Sequence, residues 1–291
     1  MRKLVILGHT GFVGRALQAH LQREPGAQVM GCSSRTMDLR RAESVRGLEA
    51  FVDRDTVVIF AAAITREKSD TLETLLDNIA MAGHVGEFLE SHPPAKCVVL
   101  SSDAVYPVSP APLTEETPVA PGGTSYAIAK YTTECVLRRS AEAKGIPLLI
   151  LRPTGVFGPG DTHNSYGPNA FVRAAIGERS VRVFGDGEDR RDHLFIGDLV
   201  RLIARLIITD AVGVYNLASG ASPSFMEVVE RLRRVVPFTF EVTHAPRKAP
   251  LVHRHFDITR LSRQVPDFQF TDLQLGLRDT FVSFAAASVK T

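Results

Sequence analysis

Two residues in one short stretch have the types and spacing of a proton-transfer device. Tyr126 and Lys130 stand at i and i+4 in Tyr126-Ala127-Ile128-Ala129-Lys130, and one helical turn puts both on the same face. A free phenol titrates near ~10 and is a poor base at neutral pH. An ammonium one turn away favours the phenolate and lowers that value. Tyr126 can then pass a proton to or from a hydroxyl. Such a pair arises by accident in many chains, so its weight comes from Ser102, in Ser101-Ser102-Asp103-Ala104-Val105-Tyr106-Pro107. Ser102 directly follows an apolar run and offers its hydroxyl to the same oxygen. Asp103 reads equally as an acid or as a solvated loop carboxylate.

A second motif supplies a place for phosphates. Gly8-His9-Thr10-Gly11-Phe12-Val13-Gly14 follows the apolar run Leu4 to Leu7. Glycines permit a tight turn and close backbone approach, and the N-terminus of the following helix presents N–H groups and a positive dipole end. Gly8, Thr10, Gly11, Phe12, Val13 and Gly14 are therefore expected to hold the pyrophosphate of a dinucleotide. A second strand, Gln28 to Cys32, ends in Ser33-Ser34-Arg35 with no acid for a ribose 2′-hydroxyl. Two hydroxyls and a guanidinium suit a 2′-phosphate, so NADP is expected over NAD. Asp38, with Leu39, comes later and is expected to face the adenine.

The elements that must position these groups follow from periodicity. Further apolar runs at Val57 to Phe60, Lys96 to Leu100 and Leu148 to Leu151 read as strands. Helical spacing follows Phe12, and runs through Asp70 to Glu90, with Leu72, Leu75, Leu76 and Ile79 on one stripe, and through Ser125 to Ala143. Strands alternating with helices predict a doubly wound parallel sheet of α/β class, Rossmann-like. Ser102 then lies at the carboxyl end of a strand, where such sheets bind ligands. Beyond Pro153 glycine and proline cluster, and shorter elements follow near 169–177, 181–184, 198–208 and 225–235. The expected organisation is a dinucleotide-binding domain over 1–160 and a smaller mixed α/β substrate lobe over 161–291, with part of 180–220 returning to the first domain.

Composition narrows the function classes. The chain of 291 residues has 34 Lys and Arg against 32 Asp and Glu, a net charge of +2, far from the basic excess of a nucleic-acid binder. Cys32, Cys97 and Cys135 are odd in number and have no CxxC spacing, which disfavours a disulfide framework or zinc site and fits a reducing cytoplasm. The longest apolar run, Val57 to Ile64, is too short to span a membrane, and the apolar start at Leu4 stops at Gly8, too early for a signal peptide. His253-Arg254-His255-Phe256-Asp257 alternates side chains as metal ligands can, but it reads better as a polar strand or loop, so no metal is expected.

These pieces together resemble the extended short-chain dehydrogenase/reductase family, in its nucleotide-sugar epimerase/dehydratase branch. The matching segments are GHTGFVG at 8–14, SSDAVYP at 101–107, YAIAK at 126–130, LRPTGVFGPGD at 151–161, GDGEDRRDHLFIGDL at 185–199 and YNLASG at 215–220. The resemblance implies an NAD(P)-dependent oxidoreductase or epimerase with Tyr126 as acid/base, Lys130 holding the nicotinamide ribose and Ser102 orienting substrate. It implies that Ala61, Ala62, Ala63 and Pro153 lie along the cofactor, that Asp103 and Ala104 meet substrate, and that Arg191 meets the diphosphate of a sugar nucleotide. A homodimer built on the helices at 70–90 and 125–143 is a further expectation from it. Three positions depart from the family's pattern. Ala104 replaces the Glu of the dehydratases, which disfavours 4,6-dehydration. Ala104 and Ala170 stand where a double epimerase of this branch carries Cys and His. Gly155 stands where many members carry an Asn that helps hold the diphosphate, so a reductase of a non-nucleotide aldehyde or ketone is the rival expectation, and a non-catalytic NADP-sensing protein the third.

Overall fold

The protein is described here from a computed structural model, which covers residues 2–65, 68–247 and 249–288. The chain divides into two compact units. One comprises Met1–Pro107, Glu115–Pro153 and Ile203–Tyr215, the other Val108–Thr114, Thr154–Leu202 and Asn216–Thr291.

In the first unit the order is β1 (Arg2–Leu7), α1 (Phe12–Leu21), β2 (Ala27–Cys32), α2 (Ala42–Val45), β3 (Thr56–Phe60), α3 (Leu72–Ser91), β4 (Lys96–Leu100), α4 (Ser125–Lys144) and β5 (Leu148–Pro153). Strands β2, β1, β3, β4 and β5 are neighbours in that order and pair in parallel, with Leu4 beside Val29 and Val57, Val58 beside Cys97, and Val98 beside Leu149. Every residue of β3 and β4 is buried, as a parallel sheet covered on both faces requires. The strand order reverses between β1 and β3, so the carboxyl ends of these strands form the crevice where such sheets take ligands.

Local signals fix the helices. In α3 the Thr71 hydroxyl caps the helix as half of a capping box with Thr74. The face of α3 that is buried carries Asn78, Met81, Ala82, Val85, Phe88 and Leu89, whereas Leu72 and Leu76 are exposed. Of the stripe read from the sequence, Leu75 and Ile79 are half-buried, and the buried face lies beside it. In α4 the Thr124 hydroxyl accepts from the Ala127 N–H at 3.2 Å. Its buried stripe runs Ala127, Lys130, Glu134, Leu137 and Ala141. Two charged residues therefore occupy core positions.

The second unit holds β6 (Gly155–Phe157), α5 (Pro168–Gly177), β7 (Ser180–Phe184), β8 (His193–Phe195), the start of α6 (Ile196–Ile208), the end of β9 (Gly213–Leu217), α7 (Phe225–Arg233), β10 (Glu241–Ala245), α8 (Thr259–Gln264) and α9 (Leu273–Ser288). β9 adds the sixth strand beside β5. Two short parallel pairs, β6 with β8 and β7 with β10, surround a core that includes Phe157, Phe171, Val181, Val228, Leu232 and Leu277. His253 and His255 lie on a segment that bridges to Arg190 and bonds Leu113, and the described residues contain no group of three or more candidate metal ligands. No described helix is long and apolar enough to cross a membrane.

Candidate active site

The turn after β1 is closed by its own backbone. The Gly8 and His9 N–H groups donate to the Cys32 carbonyl at 2.8 and 3.2 Å, and Gly11 N–H to the Gly8 carbonyl at 3.1 Å. Gly8 has φ +92°, and a Cβ there would lie 2.7 Å from the Ala62 Cα. A Cβ on Gly14 would lie 2.3 Å from the Gly8 oxygen. Both positions demand glycine, since no neighbour is a movable side chain. Gly11 begins α1 in extended conformation and makes no side-chain cap, so the helix start presents backbone alone, the arrangement that suits an anion. Phe12 and Gly14 are buried in the first turn, with Val13 between them half-buried.

A cleft opens beside this turn. Gly8, Thr10, Gly11, Ser33, Ser34, Asp38, Leu39, Ala61, Ala62 and Ala63 all line it, joined by Cys32, Met37, Arg40, Ile64, Lys68 and Met81. Arg35, expected to meet a 2′-phosphate, is exposed and is not among the lining residues. Among the described residues, the cations that line it are Arg40 and Lys68. Arg40 donates through Nε and Nη2 to the two Asp38 oxygens at 2.9 and 2.8 Å and reaches Asp77 at 3.4 Å. These bonds to Arg40 hold the Asp38 carboxyl below its usual range, so Asp38 presents a neutralised face. The segment behind Ala61 to Ala63 is pinned by Asn78, which the sequence reading missed. Its amide oxygen accepts from Ile64 N–H at 2.8 Å and its NH₂ donates to the Ile64 carbonyl at 3.1 Å.

On α4, Tyr126 is half-buried and Lys130 buried. The Lys130 Nζ lies 5.8 Å from the centre of the Tyr126 ring and donates to the Leu100 carbonyl, at the end of β4, at 2.7 Å. Burial pushes the Lys130 ammonium down to about 8, while the Glu134 carboxylate one turn on pulls it upward. Ser102 follows β4 and caps a one-turn 3₁₀ helix, Asp103–Val105, which packs on α4. Its Oγ accepts from the Ala104 N–H at 3.1 Å and lies 3.4 Å from an Asp103 oxygen. Pro153 ends β5 and is buried, and Ala104 is half-buried.

Beneath these groups lies a polar cluster that the sequence reading did not single out. Glu134 is 1% exposed and Arg152, on β5, 3%. Arg152 grips the carboxylate through Nε at 2.9 Å and Nη2 at 2.6 Å, and its Nη1 donates to the Tyr106 hydroxyl at 2.8 Å. The Ser101 hydroxyl donates to the same carboxylate. The available signal was the position of Glu134 on the buried stripe of α4.

In the second unit Arg191 donates through Nη1 to the Arg190 carbonyl at 2.8 Å and to the Val252 carbonyl, with Asp189 at 3.8 Å. Asp192 is 2% exposed and accepts from the Thr154 hydroxyl, the Ser219 N–H and hydroxyl, and the Gly220 N–H, all within 3.0 Å. A Cβ on Gly155 would meet the His193 Nδ1 at 3.3 Å and the Asp192 carbonyl at 3.4 Å. His193 thus fills the space that a side chain at 155 would enter.

A parallel sheet with a glycine turn after its first strand, and Ser102, Tyr126 and Lys130 on elements at the carboxyl edge of β4, define a Rossmann-type dinucleotide enzyme. Residues 4–218 match the NAD dependent epimerase/dehydratase family. The chain belongs to that family, and so to the extended short-chain dehydrogenase/reductase enzymes. It is 28% identical to a dTDP-4-dehydro-6-deoxy-D-allose reductase of Streptomyces bikiniensis over 96% of this chain and 95% of that one. It is 30% identical to a UDP-glucose 4-epimerase of Mycolicibacterium smegmatis, covering 92% and 93%. In fold it is similar to RMD from Pseudomonas aeruginosa, solved with NADPH, at TM-score 0.88 and 22% identity, covering 99% of this chain and 100% of that one.

Proposed function

We propose that the protein is an NAD(P)-dependent nucleotide-sugar epimerase or reductase that acts at a sugar carbinol or keto carbon, with Tyr126 as its acid/base. The observation that carries this is the face of α4, where the Tyr126 phenol and the buried Lys130 ammonium lie together beside the turn that bears Ser102. The relatives support it, since they are named as reductases and epimerases of sugar nucleotides.

The cleft fits a dinucleotide. Its glycine turn leaves no room for side chains at Gly8 and Gly14, and α1 begins beside it. Ser33 and Ser34 with Lys68 in the cleft lining, and the exposed Arg35 next to Ser34 in the chain, favour NADP over NAD. A bound nicotinamide would supply hydride acceptance from a carbinol carbon or hydride donation to a keto carbon. Tyr126 Oη removes the hydroxyl proton in the first case and protonates the developing alkoxide in the second. Ser102 Oγ holds the same oxygen. Lys130 holds the ribose and supplies the positive charge that favours the phenolate. Arg191 is proposed to meet the substrate diphosphate. A homodimer through α3 and α4 is supported by the exposed Leu72, Leu76, Ile128 and Tyr131, and a cytoplasmic setting by the free cysteines.

A second reading, reduction of a non-nucleotide aldehyde or ketone, is favoured by Arg191, whose Nη1 is already engaged by backbone carbonyls. A thermal-shift series separates the two, because a ligand of the folded state raises its apparent stability. NADPH should stabilise more than NADH at equal concentration, and one of the UDP-, GDP-, dTDP- or CDP-sugars should add a further shift with NADPH present. No added shift from any of them, with NADPH consumed by simple aldehydes, would favour the second reading. No shift from either nicotinamide cofactor would contradict both.

A further inference from the structure

The buried cluster at Glu134 links the parts of the site that must keep their spacing. Ser101 and Tyr106 bracket the turn bearing Ser102, one residue before it and four after. Both are tied to Glu134, Ser101 directly and Tyr106 through Arg152. Glu134 stands one turn beyond Lys130, which itself donates to the end of β4. The charged and titratable groups of these elements that stand at the cluster are Tyr126, Lys130 and Glu134 on α4, Arg152 on β5, and Asp103 and Tyr106 on the turn after β4. Stability alone is a poor account of this arrangement. Replacing a buried ion pair by well-packed apolar residues is often neutral or stabilising, whereas a fully satisfied polar network specifies one geometry.

We propose that Glu134 is a positioning residue, which locks the turn carrying Ser102 to the helix face carrying Tyr126 and Lys130. Its relevance to turnover rests on the reading of Tyr126 as the acid/base given above. Glu134 acts in two ways. Through Ser101 and Arg152 it fixes the height of the turn on α4. Through its charge it keeps Lys130 protonated despite burial.

Two variants test this without any substrate. Glu134→Gln removes the charge while keeping the shape. Because it strands Arg152, its companion is the double variant Glu134→Met with Arg152→Met, which removes both ions and keeps the volume filled. The readouts are the titration of Lys130 by NMR of ¹³Cε-labelled lysine, assigned with Lys130→Arg, and amide exchange over 101–106. The double variant should melt near the wild-type temperature. In Glu134→Gln, which removes the negative charge alone, the Lys130 midpoint should fall by on the order of one unit; in whichever variant folds, exchange over 101–106 should quicken roughly tenfold or more relative to β1 and β3. A folded Glu134→Gln protein with an unmoved Lys130 midpoint, or any folded variant with wild-type exchange over 101–106, overturns the proposal. A fully active Tyr126→Phe would instead sink the acid/base reading and leave these two readouts unaffected, so the two failures are distinguishable.

Discussion

The two units each bury a carboxylate, and they satisfy it by different means. Glu134 in the first unit is held by a cation, the Arg152 fork, with one hydroxyl besides. Asp192 in the second unit is held by neutral donors, two backbone N–H groups and two hydroxyls. A bidentate cation fixes both charge and direction. Neutral dipoles fix direction but only partly offset the lost hydration. Asp192 is accordingly pushed up to about 6 by burial, against the pull of its four donors. The first arrangement suits a framework that must not change with pH. The second ties Thr154, which follows β5, and the loop after β9 to the strand start that follows Arg191.

Removing one ion of the first pair should have the largest effect on stability. Arg152→Ala leaves the Glu134 charge buried without its partner, and a loss of about 3–5 kcal/mol is expected in urea unfolding. A loss near zero would mean that the pair is satisfied by solvent. Asp192→Ala should cost less, about 1–3 kcal/mol, because it strands neutral donors, and Asp192→Asn less again because the amide oxygen still accepts. The pH dependence sharpens the contrast. The folded Asp192 titrates near 6 and the unfolded one near ~3.9, so the folded state holds the proton more tightly. That contribution is present below about pH 4 and is lost as pH rises through about 6. The stability of wild type minus that of Asp192→Asn should therefore fall across this window and stay level above it. The smallest effect is expected at His193, pushed down to about 3 by burial and then by Arg191. Its neutral native ring loses stability as pH falls below ~6.5, the unfolded value. His193→Phe should match wild type at pH 8 in thermal melts and gain on it at pH 5.

Much of the first unit was legible because its signals are local. The apolar run of β1, the glycines at 8, 11 and 14, and the spacing of Tyr126 and Lys130 each lie within a few residues. The doubly wound class follows from alternating elements. What escaped depends on distance in the chain. β6 and β8 are three residues each, too short for any period, and β9 joins the sheet only by pairing with β5. Glu134 looks like the partner of a solvated i, i+4 pair with Lys130. Only the buried stripe Ala127, Lys130, Glu134, Leu137 and Ala141 shows that both face inward, toward an arginine distant in sequence. The candidates Tyr126, Lys130 and Ser102 could be read from the sequence, whereas the buried bonds among Ser101, Tyr106, Glu134 and Arg152 could not.

The most direct test of the account is Tyr126→Phe, which removes one oxygen and keeps the ring. Folding and NADPH affinity should survive, since the glycine turn, the cleft and Lys130 are untouched. Turnover, measured as hydride transfer to or from the sugar nucleotide that gives the thermal shift, should fall by roughly 10²–10⁴, the usual contribution of a positioned general acid or base. A variant that binds NADPH normally and keeps at least about a third of the wild-type rate, no loss on that scale, would contradict the account.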